Sequence, residues 1–371
     1  MTTLLLYPIT PILVGLAVLA LGLAGALRCT SWIVRGLAGL VALIGLAMTF
    51  GAGFNAWKMD ADTRRWPAPG QFVTVAGARV HVRCEGSRDA ETVLLIPGGY
   101  AQGLFMHPLQ TALSDRWRAC VVDRSGTGWS PITAARPTVD YVIDQLHGAL
   151  SAAGERPAVA IVGHSMGGLY AVNYAAAWPG EVRAVVLLDP TEPGDTLVNW
   201  AGTGPGAVVA AWTPILGAAF GLANIRALNP LYGPGTAPIR AAFGADYDRL
   251  VAFEVRPSAV INTMRAIQAP YDDPLSIIRT PGVLSRQAVL LVPQTPPTTP
   301  EAPPTGVTGR RARNFRALMD VARTESMMFS PRHELIYAPA GATHQFLFTQ
   351  PAFTVRIVRD FLTRHLASGA I

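Results

Sequence analysis

Charge is scarce in this chain. Only 15% of its 371 residues are Asp, Glu, Lys or Arg, and the scarcity is extreme in two places. Residues 9–27 and residues 36–54 hold no charged side chain at all. Each run matches the roughly twenty apolar residues that cross a hydrocarbon core as a helix. No Lys or Arg precedes the first run, so the basic start of a secretory signal is missing. Neither run shows the polar stripe of a helix packed on a soluble core. Arg28 and Arg35 bracket the short link Cys29-Thr30-Ser31, and Trp32, Trp57 and Trp66 lie at or beyond the run ends, where amphipathic rings favour the headgroup zone. The expectation is a two-helix transmembrane hairpin over residues 1–57, with a lipid bilayer as partner. The charges flanking the spans lean slightly toward a cytoplasmic catalytic domain.

Other absences narrow the function. The net charge is +6, yet no basic run is interleaved with aromatics, so no nucleic-acid partner is expected. The densest basic patch, Arg310-Arg311-Ala312-Arg313, reads as a solvated helix face. There is no metal-ligand spacing, no dinucleotide fingerprint, no repeat and no heptad pattern. Neither a metal nor a cofactor is expected.

What is present after residue 57 is a rhythm. Residues 58–70 are polar, carry Pro67 and Pro69, and read as a linker. From residue 71 to residue 371, short β-rich runs alternate with helical patterns. The runs fall at residues 72–75, 79–82, 92–96, 119–122, 158–162, 182–188, 288–292 and 334–337. The first two flank Ala76-Gly77 as a hairpin. Helical patterns cover residues 139–153, 166–177 and 353–365. Strands alternating with helices imply an α/β fold with a mostly parallel sheet covered on both faces. Residues 192–286 break the rhythm with helical patches and no strand. That length is too great for an ordinary connection, so the segment reads as a helical cap. Residues 293–304 form a proline-rich loop.

The strongest local signal is Gly163-His164-Ser165-Met166-Gly167-Gly168, after a strand and before a helix. That context makes a G-x-S-x-G match a nucleophile turn: the serine is forced into a strained conformation at the carboxyl end of the sheet. An alcohol is a weak nucleophile and needs a base. His344 follows the last strand and precedes the terminal helix, where a loop can bring an imidazole to Ser165. His81 and His107 come too early, His147 sits within a helix, His333 precedes the last strand, and His365 is late in a helix. His164 should point under the turn as packing.

Two carboxylates compete as the group that holds the imidazole tautomer. Asp189 ends the run 182–188, and Glu301 lies in the proline-rich loop after the run 288–292. The loop has no Asp close to its strand, which favours Asp189. The oxyanion of a tetrahedral intermediate needs backbone N–H donors. Met166 follows the nucleophile, and the turn Pro97-Gly98-Gly99-Tyr100 supplies Gly99, with Tyr100 in reserve.

Four blocks now carry a resemblance from about residue 71 to the end: Leu94-Leu95-Ile96-Pro97-Gly98-Gly99, then Asp123-Arg124-Ser125-Gly126-Thr127-Gly128-Trp129-Ser130, then the Ser165 turn, then the run ending in Leu188-Asp189-Pro190. The chain resembles the α/β-hydrolase superfamily. The resemblance implies an eight-stranded, mostly parallel sheet with a helical cap, and a serine esterase or lipase type of activity. Lipases of the pancreatic type place their acid in a similar Leu-Asp-Pro setting, whereas the commoner position is the one that Glu301 would fill. Two departures stand out: Pro97-Gly98 where His-Gly is usual, and Thr343-His344 where Gly-His is usual. A Ser nucleophile speaks against the members that attack with a carboxylate.

In this fold the strands holding Cys84 and Cys120 are neighbours, so the pair is either a disulfide or two small buried hydrophobes. The functional expectation is a membrane-anchored serine hydrolase cleaving a carboxylic ester, lipophilic in view of the anchor and the apolar cap. An acyltransferase or thioesterase with the same triad, or a non-catalytic membrane scaffold, are the alternatives.

Overall fold

The computed structural model describes residues 9–99, 101–191, 205–233, 236–272, 282–294 and 329–366. They fall in two compact units. The larger comprises Ala68–Gly202, Pro238–Gly244 and Asn262–Ile371.

Its centre is one eight-stranded sheet: β1 (Gln71–Val75), β2 (Ala78–Glu85), β3 (Thr92–Ile96), β4 (Arg118–Asp123), β5 (Ala158–His164), β6 (Ala184–Leu188), β7 (Ala288–Val292) and β8 (His333–Leu335). The spatial order is β1-β2-β4-β3-β5-β6-β7-β8. β1 and β2 run antiparallel, joined by the turn Ala76-Gly77, in which both residues have positive φ; this matches a two-residue hairpin turn. β2 is antiparallel to β4, and the pairs from β3 to β8 are parallel. Every residue of β3, β6 and β7 is buried. That is why they read as unbroken apolar runs without alternation.

Helices α3 (His107–Leu113), α4 (Val139–Ala152) and α5 (Met166–Ala177) follow β3, β4 and β5. Thr138 caps α4 through its side chain, which accepts from Tyr141 N. Tyr170 and Tyr174 of α5 are almost wholly buried, in one core cluster with Val142, Leu146 and Leu187. The register brings the strand ends level: Ile96 lies opposite Gly163, His164 opposite Leu188, and Leu188 opposite Val292. The residues after β3, β5, β6 and β7 therefore leave the sheet at one edge.

Cys84 and Cys120 face each other across β2 and β4 and form a disulfide, with Cα atoms 4.0 Å apart. Of the two readings of this pair, the bonded one is found.

The other unit comprises Met1–Pro67, Thr203–Ala237 and Ala245–Ile261. Its two long helices, α1 (Ile9–Arg28) and α2 (Trp32–Arg65), are both long and apolar enough to cross a membrane. They pack antiparallel at small residues. A Cβ on Gly22 would lie 2.2 Å from Ala42 N, one on Gly45 2.2 Å from Leu19 N, and one on Gly15 2.6 Å from Thr49 N. Small residues at a helix seam let backbones approach closely. Outside the seam large side chains face outward, among them Leu21, Leu27, Leu37 and Leu43.

The segment expected as a linker needs correction. Residues 58–65 continue α2, stabilised by pairs four residues apart, Lys58 with Asp62 and Arg64 with Asp60. Polarity marked the end of the apolar run and not the end of the helix, because such pairs support an exposed helix. The helix stops just before Pro67. Strand bounds also shift by one to three residues in all but β3 and β7: β1, β2, β4 and β5 are longer than expected, β6 begins at Ala184, and β8 spans His333–Leu335, so His333 lies in the last strand.

Within the segment expected as a cap, the described residues form α6 (Pro205–Ala219), α7 (Ala237–Phe243), α8 (Tyr247–Glu254), α9 (Pro257–Asp272) and short 3₁₀ turns. This segment is divided between the two units. After β8 come α10 (Phe346–Thr349) and α11 (Pro351–Leu366).

Candidate active site

Ser165 sits between β5 and α5 with φ 55° and ψ −126°. A non-glycine residue there is strained, and such strain collects at functional sites. Close approach explains the flanking glycines. A Cβ on Gly163 would lie 2.3 Å from Gly167 O, and one on Gly167 2.1 Å from Ile96 O. Both neighbours are backbone, so nothing larger fits. The turn is bonded to the next strand: Ser165 N donates to Leu188 O at 3.1 Å, and Thr191 N donates to Ser165 O at 2.8 Å. The Ser165 turn thus grips the chain on both sides of Asp189.

Asp189 is itself held at φ 41°. Its backbone N–H donates to Val292 O at 2.8 Å. Its Oδ2 accepts from His344 Nδ1 at 2.5 Å and from Gln294 Nε2 at 2.5 Å, and its Oδ1 accepts from Gln294 N at 3.2 Å. Burial opposes ionisation, but the bond and charge of His344, followed by the two Gln294 bonds, outweigh it and hold the carboxyl below its usual range. An ionised carboxylate only accepts, so His344 donates this bond through Nδ1–H.

His164 has more to do than the packing expected of it. It is buried, and its Nε2–H donates to the carbonyl of His344 at 2.9 Å, with ring centroids 4.7 Å apart. Burial first, and His344 second, hold its pKa down to about 4, so the ring is neutral. Among the described residues, Ser165 Oγ has no hydrogen-bond partner. His164 thus bonds the His344 backbone, while Leu188 and Thr191, on either side of Asp189, bond the Ser165 backbone. Catalytic hydrogen bonds are often long before substrate binds.

The turn after β3 lies against Ser165. A Cβ on Gly98 would be 3.1 Å from Ser165 Cβ, and one on Gly99 would be 3.2 Å from Met166 Cε. The turn is clamped by buried Arg124, whose guanidinium donates to Pro97 O at 2.7 Å, Gly98 O at 2.5 Å and Ala101 O at 3.3 Å. In a trans peptide the N–H points opposite the carbonyl, so pinning Gly98 O fixes the direction of the Gly99 N–H. Thr263 Oγ1 donates to Gly99 O at 3.1 Å and braces the same turn. Among the described residues the N–H groups of Gly99 and Met166 have no acceptor. For Met166 that follows from its place in the first turn of α5.

Two candidates, Tyr100 and Glu301, lie outside the described residues, as does the Arg310 patch. The remaining histidines are elsewhere. His81 pairs with Asp123 at 2.9 Å, His147 stacks on Trp178, His333 bonds Ser330 O, and His365 bonds Glu334. His107 lies beside Arg83. Gln294 was missed. Its sequence signal was its place two residues after β7, in the loop searched for an acid.

Sheet order, strained serine turn and helix placement define an α/β-hydrolase fold. The comparisons agree: the family model for the alpha/beta hydrolase fold matches residues 91–212. The chain is similar to lipase LipV of Mycobacterium tuberculosis, 40% identical over 111 residues, covering 30% of this chain and 41% of the lipase. It is similar to the uncharacterized protein YbdG of Bacillus subtilis, 27% identical over 154 residues, covering 41% of this chain and 46% of that protein. The chain thus spans less than half the length of these curated relatives. Among solved structures, a probable hydrolytic enzyme of Pseudomonas aeruginosa PAO1 superposes with a TM-score of 0.60 at 17% identity, covering 80% of this chain and 95% of that one.

Proposed function

We propose that this protein is a membrane-anchored serine hydrolase that cleaves carboxylic esters through an acyl-enzyme. One observation carries the reading: the 2.5 Å bond between His344 Nδ1 and Asp189 Oδ2, made beside a serine held at φ 55°. Asp189 keeps the Nε2 lone pair of His344 available. His344 takes the proton of Ser165 as Oγ adds to the ester carbonyl, and the N–H groups of Gly99 and Met166 receive the oxyanion. His344 then protonates the leaving alkoxide. Water, deprotonated by the same ring, hydrolyses the acyl-enzyme and restores Ser165. The similarity to a lipase supports a lipophilic ester as the substrate class.

Membrane insertion is supported by the outward-facing Leu residues of α1 and α2, which would meet water in a soluble protein. A core helix would bury them. The Cys84–Cys120 disulfide supports a catalytic domain in an oxidising compartment, where such bonds persist. This outweighs the slight opposite lean of the flanking charges.

The test is hydrolysis of a chain-length series of nitrophenyl esters by full-length protein in detergent, with and without an added acceptor alcohol. Ester cleavage to free acid, abolished in Ser165→Ala with folding intact, is expected. Products found only as new esters would make the protein a transferase. Wild-type rates in the variant would remove Ser165 from the chemistry.

A further inference from the structure

The unit that contains α1 and α2 also contains cap residues, and the contact runs along one stripe of α2. At Gly51 the backbones meet: a Cβ there would lie 2.3 Å from Phe220 O, and one on Gly221 would lie 2.7 Å from Gly51 O. One turn on, Asn55 Nδ2 donates to Ala218 O at 2.9 Å, and Asn224 Nδ2 donates to Asn55 Oδ1 at 2.8 Å. Two turns further, Arg256 Nη2 donates to Thr63 Oγ1 at 2.9 Å. Contacts four residues apart mark a single face of the helix.

The height of this contact is informative. α2 is uncharged over residues 36–57, a length of about 33 Å at 1.5 Å per residue, close to the ~30 Å of a hydrocarbon core. Gly51 lies about 9 Å before Trp57 along the axis. The cap turn that touches Gly51 is therefore level with the last turns of the apolar segment and does not lie wholly beyond them.

The cap surface there is built for apolar surroundings. Residues 212–233 carry one charge, Arg226, whose guanidinium lies over the Tyr232 ring at 4.2 Å. Leu216, Leu222, Ile225 and Leu228 are 43%, 49%, 49% and 60% exposed. Asn229, by contrast, is buried: its Nδ2 donates to Ala223 O and its Oδ1 accepts from Leu231 N. Amides turned inward and satisfied, with leucines turned outward, reverse the order of a water-facing surface. It is the order lipid requires.

We infer that residues 212–232 of the cap form a second membrane contact, with Leu216, Leu222, Ile225 and Leu228 seated at the headgroup–acyl boundary of the bilayer that α1 and α2 cross. The inference rests on the membrane reading above. Interfacial elements bury their apolar face about 5–10 Å, which agrees with the height of Gly51.

The experiment uses full-length protein carrying Cys29→Ser, with one added cysteine: Leu40→Cys in the span, Arg64→Cys beyond it, or Leu222→Cys, Ile225→Cys or Leu228→Cys in the cap. Each variant is labelled with an environment-sensitive fluorophore and reconstituted in phosphatidylcholine vesicles with or without doxyl-labelled lipid. The expected result is quenching at 222, 225 and 228 of roughly half or more of that at 40, and little at 64, as an interfacial position requires. Cap labels that behave like 64 while 40 is quenched would overturn the inference and leave the anchor standing. Absence of quenching at 40 as well would remove both. Cross-linking between Leu228→Cys positions of two copies, without lipid quenching, would assign the surface to a dimer and also overturn it.

Discussion

Gln294 and Asp189 meet at the ends of neighbouring strands, the amide Nε2 donating to Oδ2 at 2.5 Å and the backbone N–H donating to Oδ1 at 3.2 Å. The loop after β7 thus supplies a residue that holds the carboxylate at the end of β6. Both bonds favour the carboxylate form. Gln294→Ala should lower kcat about tenfold, by analogy with other groups that orient a histidine's partner. It should also raise the pKa of Asp189, so that activity on the acid side is lost at a higher pH than in wild type. A pH profile of kcat/KM checks this. An unchanged acid limb would reduce Gln294 to packing.

Asp189 and Glu301 can be separated directly. Asp189→Asn should cost about 10³–10⁴ in kcat, because an amide no longer enforces the Nδ1–H tautomer. Glu301→Gln should leave kcat within about twofold, well under the tenfold that 1.4 kcal/mol represents. The reverse ranking would return the acid to the loop after β7.

His164 makes acid sensitivity a property of the fold itself. Its pKa is about 4 in the folded chain against an ordinary 6.5. Below pH 6.5 the unfolded chain takes up a proton that the folded chain refuses. Stability therefore falls as pH drops from about 6.5 to about 4, by on the order of 3 kcal/mol in all. Denaturant titrations across this window should show the slope in wild type, and His164→Phe should flatten it while lowering kcat through the lost bond to His344 O. A slope retained in the variant would point to another titrating group.

The strands, the serine turn and the pairing of His344 with Asp189 were legible because each depends on local chemistry. Buried parallel strands need unbroken apolar runs, and a sharp turn needs Gly163 and Gly167. What the sequence hid was long-range or depended on degree. Gln294 lies 105 residues from Asp189, and nothing near either residue signals the bond. Arg124 was visible as part of a block that carries the resemblance, but its grip on Pro97 and Gly98 appears only when β3 and β4 pair. The polar end of α2 looked like a linker because charge there reads equally as loop or as an exposed, ion-paired helix.

The disulfide bears on the compartment. In unreduced protein taken from its native membrane, Cys84 and Cys120 should resist alkylation by a maleimide while Cys29 reacts once the protein is unfolded. Replacing both bridged residues by Ala should destabilise the domain by roughly 2–4 kcal/mol, the usual effect of opening a loop of this size. Free thiols at both positions in native material would remove the support for an oxidising compartment.

The most direct test of the central claim is the covalent labelling of Ser165. Full-length protein treated with a fluorophosphonate, digested and analysed by mass spectrometry should carry one adduct, on the peptide containing Gly163-His164-Ser165-Met166-Gly167. Labelling should be slowed by more than about 10³-fold in His344→Ala, where the base is lost. An adduct on any other residue, or none in protein shown to be folded, would contradict the account.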